Sequence, residues 1–337
     1  MNTTNHGPTP ERLMQMAWGY AAPLIIEAAV ENKVFDLLDA SPKTVAELAA
    51  ASGASERGLT AILNALVGFQ LVTRHEDRYA LLPESAAFLV SHRPGSLARF
   101  FGHVSTMLIP HWLHLGDAVK TGRPDLAANE KSKGAEFFAD FVESLFPLSY
   151  AASRMLGEHL GIPGATSPVS VLDLAAGSGV WGIGIAHLSP KVVITAVDWP
   201  NVLEVTKKVA KQHGVDERLK TSPGDLLVAD FGKGHQIATL GHILHSEGRE
   251  RSRKLLKKTF DALAPGGTIA IQEFLPNEER TGPPNALIFA VNMLALTDAG
   301  DTYPFGEISG WLREAGFVNP RLLEVPSVSP LVLATRP

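Results

Sequence analysis

The segment at residues 169–186, VSVLDLAAGSGVWGIGIA, constrains the fold of this chain more than any other stretch. A run of residues typical of a buried strand leads into Asp173, then into a turn of small residues that contains Gly177 and Gly179, and then into an apolar helix that begins at Val180. A strand, a tight glycine turn and a helix in this order form the opening unit of a doubly wound sheet. Glycine is needed where the backbone passes close to a ligand, because a side chain would fill that space. The segment therefore predicts an α/β domain with a ligand at this turn.

The position of Asp173 distinguishes this turn from a dinucleotide-binding turn. Pyrophosphate sites space their glycines as GxGxxG, whereas the spacing here is DxxxGxG, with a carboxylate four residues before Gly177. A carboxylate that faces the ligand would repel a pyrophosphate and would suit a ligand with a cationic amino group. Asp198 ends the next predicted strand, KVVITAVDWP, 25 residues after Asp173. A ribose diol would lie at that strand end, and a carboxylate there accepts two hydroxyl hydrogen bonds.

On these residues the chain resembles the S-adenosylmethionine-dependent methyltransferases, and over nearly its whole length the small-molecule O-methyltransferases of the plant caffeate type and the bacterial hydroxyneurosporene type. The resemblance implies an α/β, Rossmann-like class I methyltransferase domain with a seven-stranded sheet, preceded by a mostly helical winged-helix dimerisation domain. It implies S-adenosyl-L-methionine as the cofactor. The residues expected to bind the cofactor are Asp173, Gly177, Gly179, Asp198, Trp199, Gly224, Asp225 and Leu226.

The candidate catalytic residues are His245, Glu273 and Asp301. His245 closes the predicted strand QIATLGHIL, and a histidine at the carboxyl end of such a strand faces the ligand crevice. Glu273 ends the next strand, TIAIQEF, 28 residues later, and the resembled family has a catalytic histidine and a glutamate at this separation. The resemblance implies that His245 is the general base for a hydroxyl with a pKa of about 10 and that Glu273 holds its second ring nitrogen. Asp301 is the candidate for the second glutamate of the family.

The chain departs from the family pattern close to His245. Ser246 and Glu247 stand where the family has aspartate and tryptophan, and Gly241 stands where it has lysine. The expected reaction is methylation of a hydroxyl group on a small aromatic or polyketide-like compound. Because of these departures, two alternatives stay open, C-methylation and a non-methylating reaction that retains the cofactor. His242 and His245 form an HxxH pair, but without cysteine or a third ligand at a clear spacing no metal site is expected. A metal-dependent catechol-type transferase is a further alternative.

The first part of the chain has the order of a winged helix, a fold common among DNA-binding proteins. Helices are predicted from Val45 and over 55–69, followed by short strands at 71–73 and 78–81. The helix that would read DNA has one basic residue, Arg57, whereas contact with phosphates requires several. No nucleic-acid partner is therefore expected. A ligand-responsive winged-helix regulator stays as the alternative from a different functional class. The predicted domains are a dimerisation domain at 1–105 and a methyltransferase domain at 106–337, which includes a helical connector at 106–165.

Composition limits which classes of binding partner and which cellular compartment are expected for this chain. The net charge is −5 and the pI about 6.2, so the total charge favours neither nucleic acid nor an anionic membrane. The absence of cysteine excludes disulfides and is typical of a reducing cytoplasm. No signal peptide and no uninterrupted apolar run of about 18 residues are recognised, so a cytoplasmic protein without a membrane partner is expected. Residues 13–38, predicted as a helical stretch broken at Pro23, carry more apolar side chains than one small face would bury, which predicts a homodimer.

Overall fold

The structure, a computed structural model, describes residues 8–124, 141–327 and 329–337. The chain divides into two compact units, Met1–Pro110 and His111–Pro337. The domain boundary predicted at 105/106 lies five residues before this division. Residues 125–140 of the predicted connector lie outside the described part of the chain.

The first unit packs short helices against a small antiparallel sheet. The sheet has the order β1-β3-β2, with β1 at Lys43–Thr44, β2 at Val72–His75 and β3 at Arg78–Leu81. The helices are Glu11–Ala17, Ala21–Glu31, Val34–Ala40, Val45–Ser52, Glu56–Gly68, Pro83–Phe88 and Ala98–His103, followed by a π-helical segment at Val104–Leu108. Two helices followed by a two-stranded wing lie where the sequence predicts a winged helix.

Local sequence explains these elements. Thr44 and Glu47 form a reciprocal capping box at the start of Val45–Ser52, and Gly53 ends that helix in the left-handed region with φ +77°. Leu59, Leu63 and Leu66 recur at helical spacing and are fully or almost fully buried. The helical break expected at Pro23 was wrong, because the chain breaks at residues 18–20 instead. Pro23 lies in the first turn of its helix, where a missing N–H leaves no hydrogen bond unmade.

The N-terminal helices leave a large apolar surface uncovered. Leu13, Met16 and Trp18 are 69%, 60% and 63% exposed. In the described part of the chain, Glu11–Glu31 is the one stretch that is long and apolar enough, by length and composition alone, to cross a membrane.

The second unit is built on a seven-stranded sheet with the order β6-β5-β4-β7-β8-β10-β9. The strands are β4 Val169–Leu174, β5 Val192–Asp198, β6 Leu219–Pro223, β7 His235–Gly241, β8 Leu263–Gln272, β9 Val318–Leu323 and β10 Leu331–Thr335. β6, β5, β4, β7 and β8 pair with one another in parallel, and β10 pairs antiparallel with both β8 and β9, so β10 alone of the seven runs in the opposite direction. The α-helices are Leu115–Thr121, Phe146–His159, Val180–Ala186, Pro200–Gln212, Leu244–Ala262, Pro284–Leu296 and Phe305–Ala315, and Ile109–Trp112 lies across the division between the units.

The strand order places a crevice at the centre of this sheet. From β4 the chain builds outward through β5 and β6, and it then returns to add β7 on the other side of β4. Ligands of open α/β sheets bind at such a reversal, outside the carboxyl ends of the strands. The glycine turn follows β4 directly, so the seven-stranded sheet and its turn confirm the predicted fold class.

Candidate active site

Asp173 lies beneath the glycine turn and fixes it from within. Its side chain is fully buried, Oδ2 accepts a hydrogen bond from the Gly182 N–H at 3.0 Å, and Oδ1 accepts one from Thr239 Oγ1 at 2.7 Å. Burial raises the pKa of this carboxyl to about 7. These contacts tie β4 to the following helix and to β7. The predicted contact of Asp173 with the cofactor stays a prediction.

Asp198 ends β5 beside the turn, as the sequence predicts. Its Oδ2 accepts from the Gly177 N–H at 2.8 Å and its Oδ1 from the Trp199 N–H at 2.7 Å. Burial raises the pKa of this carboxyl to about 6, although both backbone hydrogen bonds act to lower it. The residue is half-buried, and each carboxylate oxygen has lone pairs beyond those two bonds. The carboxylate can therefore accept further hydroxyl donors.

The turn itself requires its two glycines. Gly177 and Gly179 have φ of +54° and +77°, in the left-handed region that favours glycine. A Cβ at Gly179 would also lie 2.9 Å from Thr206 Cγ2. The glycines thus form a tight turn at the carboxyl end of the central strand, where a Cβ at Gly177 would meet Val142 and a Cβ at Gly179 would meet Thr206 and Ile183.

Gly224, Asp225 and Leu226 adjoin Asp198 at the end of β6. The Gly224 N–H donates to the Asp198 carbonyl at 2.9 Å, and Leu226 is buried. The Asp225 carboxylate pairs with Arg251 at 3.1 Å, and Arg251 Nε also bonds Glu247 at 2.6 Å. Sequence reasoning missed Arg251, whose signal was its i,i+4 spacing from Glu247.

His245 and Glu273 meet as predicted from their separation of 28 residues. His245 Nδ1 lies 2.8 Å from Glu273 Oε2, and the His245 backbone N–H donates to Oε1 at 3.2 Å. Both residues are buried, at 9% and 2% exposure. Burial acts to raise the pKa of Glu273, but the charge and hydrogen bonds of His245 outweigh it, so this pKa lies below its usual value. A carboxylate on Nδ1 favours the tautomer in which Nδ1 carries the proton and Nε2 is a free acceptor.

His245 reaches this place from a helix and not from the predicted strand. β7 ends at Gly241, and His245 is the second residue of the helix Leu244–Ala262. His242 turns the chain in a left-handed conformation with φ +57°, which ends the strand early. Gly241 allows the indole of Trp181 to lie against the strand end, because a Cβ at position 241 would overlap that ring.

Aromatic rings surround the histidines. Phe289 packs edge-on against His245, with the ring centroids 4.9 Å apart, and Phe274 stacks on Phe289 at 4.0 Å. His242 packs on Phe274 at 4.9 Å. Asn292, one turn after Phe289, accepts a hydrogen bond from Trp112 Nε1 at 2.8 Å. Such ring packing suits a flat aromatic ligand.

His242 is a third side chain of a type that can bind a metal ion, and it lies beside the His245–Glu273 pair. Each of the three residues offers a nitrogen or oxygen atom, and these atoms lie within 4.8 Å of one another. Burial lowers the pKa of His242 to about 4, so its imidazole is neutral at pH 7. The sequence shows the HxxH pair but not Glu273 as a third donor, because that proximity depends on the sheet.

Asp301 touches His245 through the backbone. Its N–H donates to the His245 carbonyl at 2.9 Å, whereas its carboxylate pairs with Arg280 at 3.2 Å and with Arg249 at 3.7 Å. It also lines a cavity of about 570 Å³ with Glu247 and Tyr303. The catalytic role predicted for Asp301 stays a prediction.

These features define a class of protein. The sheet order, the acidic glycine turn and an acid with spare lone pairs at the end of the second strand are those of a Rossmann-like methyltransferase. The residues fit S-adenosylmethionine, because Asp198 ends the second strand with carboxylate lone pairs that can accept two ribose hydroxyls.

The chain belongs to the S-adenosylmethionine-dependent O-methyltransferase family. The model of the O-methyltransferase domain matches residues 112–318, and that of the O-methyltransferase dimerisation domain matches residues 14–91.

Similar proteins agree with this membership. The 3-hydroxy-5-methyl-1-naphthoate 3-O-methyltransferase of Streptomyces sahachiroi is 28% identical over 313 residues, which cover 91% of this chain and 89% of that protein. A solved structure from Nostoc punctiforme, assigned as an O-methyltransferase, is 28% identical with a TM-score of 0.88 and covers 98% of this chain and 100% of its own. The human N-acetylserotonin methyltransferase, solved with S-adenosylmethionine, is 25% identical with a TM-score of 0.83 and covers 100% of this chain and 99% of its own.

Proposed function

We propose that this enzyme methylates a hydroxyl group of a small aromatic or polyketide-like compound, with His245 as the general base. The observation that carries the proposal is the buried His245–Glu273 pair, which leaves Nε2 of His245 as a proton acceptor. The rings of Phe274 and Phe289 beside it support an aromatic acceptor. The Streptomyces sahachiroi relative, whose name specifies a hydroxynaphthoate, supports the same substrate class.

The chemistry follows from the state of the two side chains. Bound S-adenosylmethionine supplies an electrophilic methyl group. A phenolic hydroxyl, with a pKa of about 10, is a poor nucleophile at pH 7, so it must lose its proton as it reacts. His245 Nε2 takes that proton, and general-base catalysis of this kind contributes about 10² to 10⁴ in rate. The Glu273 carboxylate stabilises the imidazolium that forms.

The cofactor is held by the turn and its neighbours. Asp198 would accept the ribose hydroxyls on the carboxylate lone pairs that its bonds from the Gly177 and Trp199 N–H groups leave, and Gly177 and Gly179 would form the turn beside the cofactor. Asp225, with Leu226 beside it, would accept a hydrogen bond from the adenine amino group.

The proposed assembly is a cytoplasmic homodimer without a nucleic-acid or membrane partner. The match of residues 14–91 to a dimerisation domain supports the homodimer, and so do the exposed apolar side chains of Leu13, Met16 and Trp18. A second copy of this chain would cover a surface that otherwise faces water.

Calorimetric titration with S-adenosylhomocysteine, followed by methyl transfer to hydroxynaphthoates, tests the function. We expect the parent and His245→Ala to bind alike and Asp198→Ala to bind at least about 30-fold more weakly, because two charge-assisted hydrogen bonds are lost. We expect His245→Ala to lower kcat by about 10² to 10⁴.

Product analysis separates the alternatives. O-methylation adds one methylene unit of mass and removes a phenolic hydroxyl, whereas a C-methylated product keeps that hydroxyl. A His245→Ala variant as active as the parent would refute the general base, and no binding of S-adenosylhomocysteine by the parent would refute the cofactor site.

A further inference from the structure

His242, His245 and Glu273 surround a point that a metal ion can occupy. Their three donor atoms lie within 4.8 Å of one another, and His245 Nδ1 lies 2.8 Å from Glu273 Oε2. A tetrahedral ion with ligands at about 2.1 Å sets its ligand atoms about 3.4 Å from each other. This separation lies between the 2.8 Å of that pair and the 4.8 Å limit, so small movements of the side chains would bring the three atoms to the distances that an ion requires.

The backbone holds these donors in place. Gly241 and Gln272 are paired residues of β7 and β8, and His242 and Glu273 directly follow them. His245 is fixed by the start of its helix and by the hydrogen bond from its N–H to Glu273 Oε1. The donors thus come from rigid elements and are organised before an ion arrives, which favours metal affinity.

The environment of His242 points to a ligand. Its Nδ1 is buried and has no hydrogen-bond partner within residues 8–124, 141–327 and 329–337. Buried polar side-chain atoms nearly always have a partner, so one without is a candidate ligand contact. The residue as a whole is only half-buried, and its φ of +57° is rare for a residue other than glycine.

We propose that His242, His245 and Glu273 form an inhibitory site for a divalent transition metal ion such as Zn²⁺. Two imidazoles and one carboxylate suit Zn²⁺, Co²⁺, Ni²⁺ or Cu²⁺, whereas Mg²⁺ and Ca²⁺ prefer oxygen ligands. A water molecule from the partly exposed side of His242 completes the coordination.

Binding of the metal ion would prevent His245 from acting as the general base. An ion on Nδ1 replaces the proton shared with Glu273, and that proton moves to Nε2, so the ring stays neutral but Nε2 becomes a donor. An ion on Nε2 occupies the acceptor directly. The metal site is independent of the proposed function, whereas the inhibition rests on His245 as the general base.

Titration of the tag-free protein with Zn²⁺ and with Co²⁺, without substrate, tests the site. The variant is His242→Gln, and its matched control is His92→Gln, which replaces a histidine that is 64% exposed in the first unit. His242→Phe is the second variant, because it keeps a ring against Phe274. Binding of S-adenosylhomocysteine by each protein serves as the check of folding.

We expect one equivalent of Zn²⁺ to bind to the parent and to His92→Gln, with at least tenfold weaker binding in His242→Gln and His242→Phe. The visible absorption of bound Co²⁺ should disappear in the same two variants. No binding by the parent, or equal binding by the parent and both His242 variants, overturns the site. Zn²⁺ that binds without slowing methyl transfer overturns the inhibition and leaves the test of His245 unaffected.

Discussion

Asp198 shows how one residue can make cofactor binding depend on pH. Its pKa is raised to about 6 by burial, and the ionised form is the one that accepts two ribose hydroxyls. We expect the affinity for S-adenosylhomocysteine to be constant above pH 7 and to fall by up to about tenfold per pH unit below pH 6. Calorimetry from pH 5 to 8 measures this, with Asp198→Asn as a weaker binder whose affinity does not change. Parental affinity that is flat down to pH 5 would contradict the assignment.

Glu273 can act on His245 through its negative charge and through the hydrogen bond that positions the ring, and two substitutions separate these two effects. In Glu273→Gln the amide oxygen can accept from His245 Nδ1, but the amide NH2 then replaces the oxygen that accepts from the His245 backbone N–H, and the neutral side chain does not stabilise an imidazolium. We therefore expect kcat to fall by about 10²-fold in Glu273→Gln and further in Glu273→Ala, with unchanged binding of S-adenosylhomocysteine. Steady-state kinetics measures both. Parental kcat in Glu273→Gln would show that the charge is not needed.

At this scale the sequence predicted the pair but not its surroundings. The separation of His245 and Glu273 matches a family pattern, and the adjacent strands β7 and β8 lead to the helix that carries His245 and to Glu273. His242 could not be placed because its approach depends on a single left-handed residue. The partners of Asp301 and Asp225 could not be placed either, because an ion pair joins residues far apart in the chain and leaves no periodic signal.

At the scale of the elements, β4 and the helix Val180–Ala186 are joined by the buried carboxyl group of Asp173, whose ionisation opposes folding at neutral pH. The pKa of Asp173 is raised by burial from 3.8 to about 7, so the folded state binds its proton more tightly than the unfolded chain does. This group's contribution is therefore most favourable below about pH 4 and is lost as the pH rises through about 7. The whole pKa shift, from 3.8 to about 7, corresponds to a loss of about 4 kcal/mol of unfolding free energy as the pH rises.

Asp173→Asn tests this contribution. The amide can accept from the Gly182 N–H and donate to Thr239, so the two contacts of Asp173 are kept. We expect the free energy of unfolding of the parent, relative to Asp173→Asn, to decrease between pH 5 and 7.5. Urea unfolding at both pH values measures the difference, and parallel curves for the two proteins would count against a raised pKa.

Element types were predicted more reliably than element ends. The strands of the sheet follow from runs of apolar residues, and the helix Phe305–Ala315 ends at Gly316 as its sequence indicates. The strand before His245 was extended too far, because HIL reads as apolar strand sequence while the backbone turns at His242.

At the scale of the whole molecule, we expect the exposed apolar surface of the N-terminal helices in the first unit to be the dimer interface. We expect the parent to be a dimer and Trp18→Glu to dissociate, since Trp18 is 63% exposed in the chain alone and the charge would be buried in the dimer. Val228→Glu is the control, because Val228 is 82% exposed and lies in the other unit. Sedimentation velocity measures the oligomeric state. A Trp18→Glu dimer as stable as the parent would place the interface elsewhere.

The contact between Trp181 and Gly241 limits how this site can change over evolutionary time. The two positions lie on different elements, yet no residue with a Cβ fits at 241 while the indole remains where it is. A side chain at 241 and the indole of Trp181 in its present position therefore exclude each other. We expect Gly241→Lys to be tolerated better together with a smaller residue at 181 than alone, so a change at either position limits which changes the other can accept.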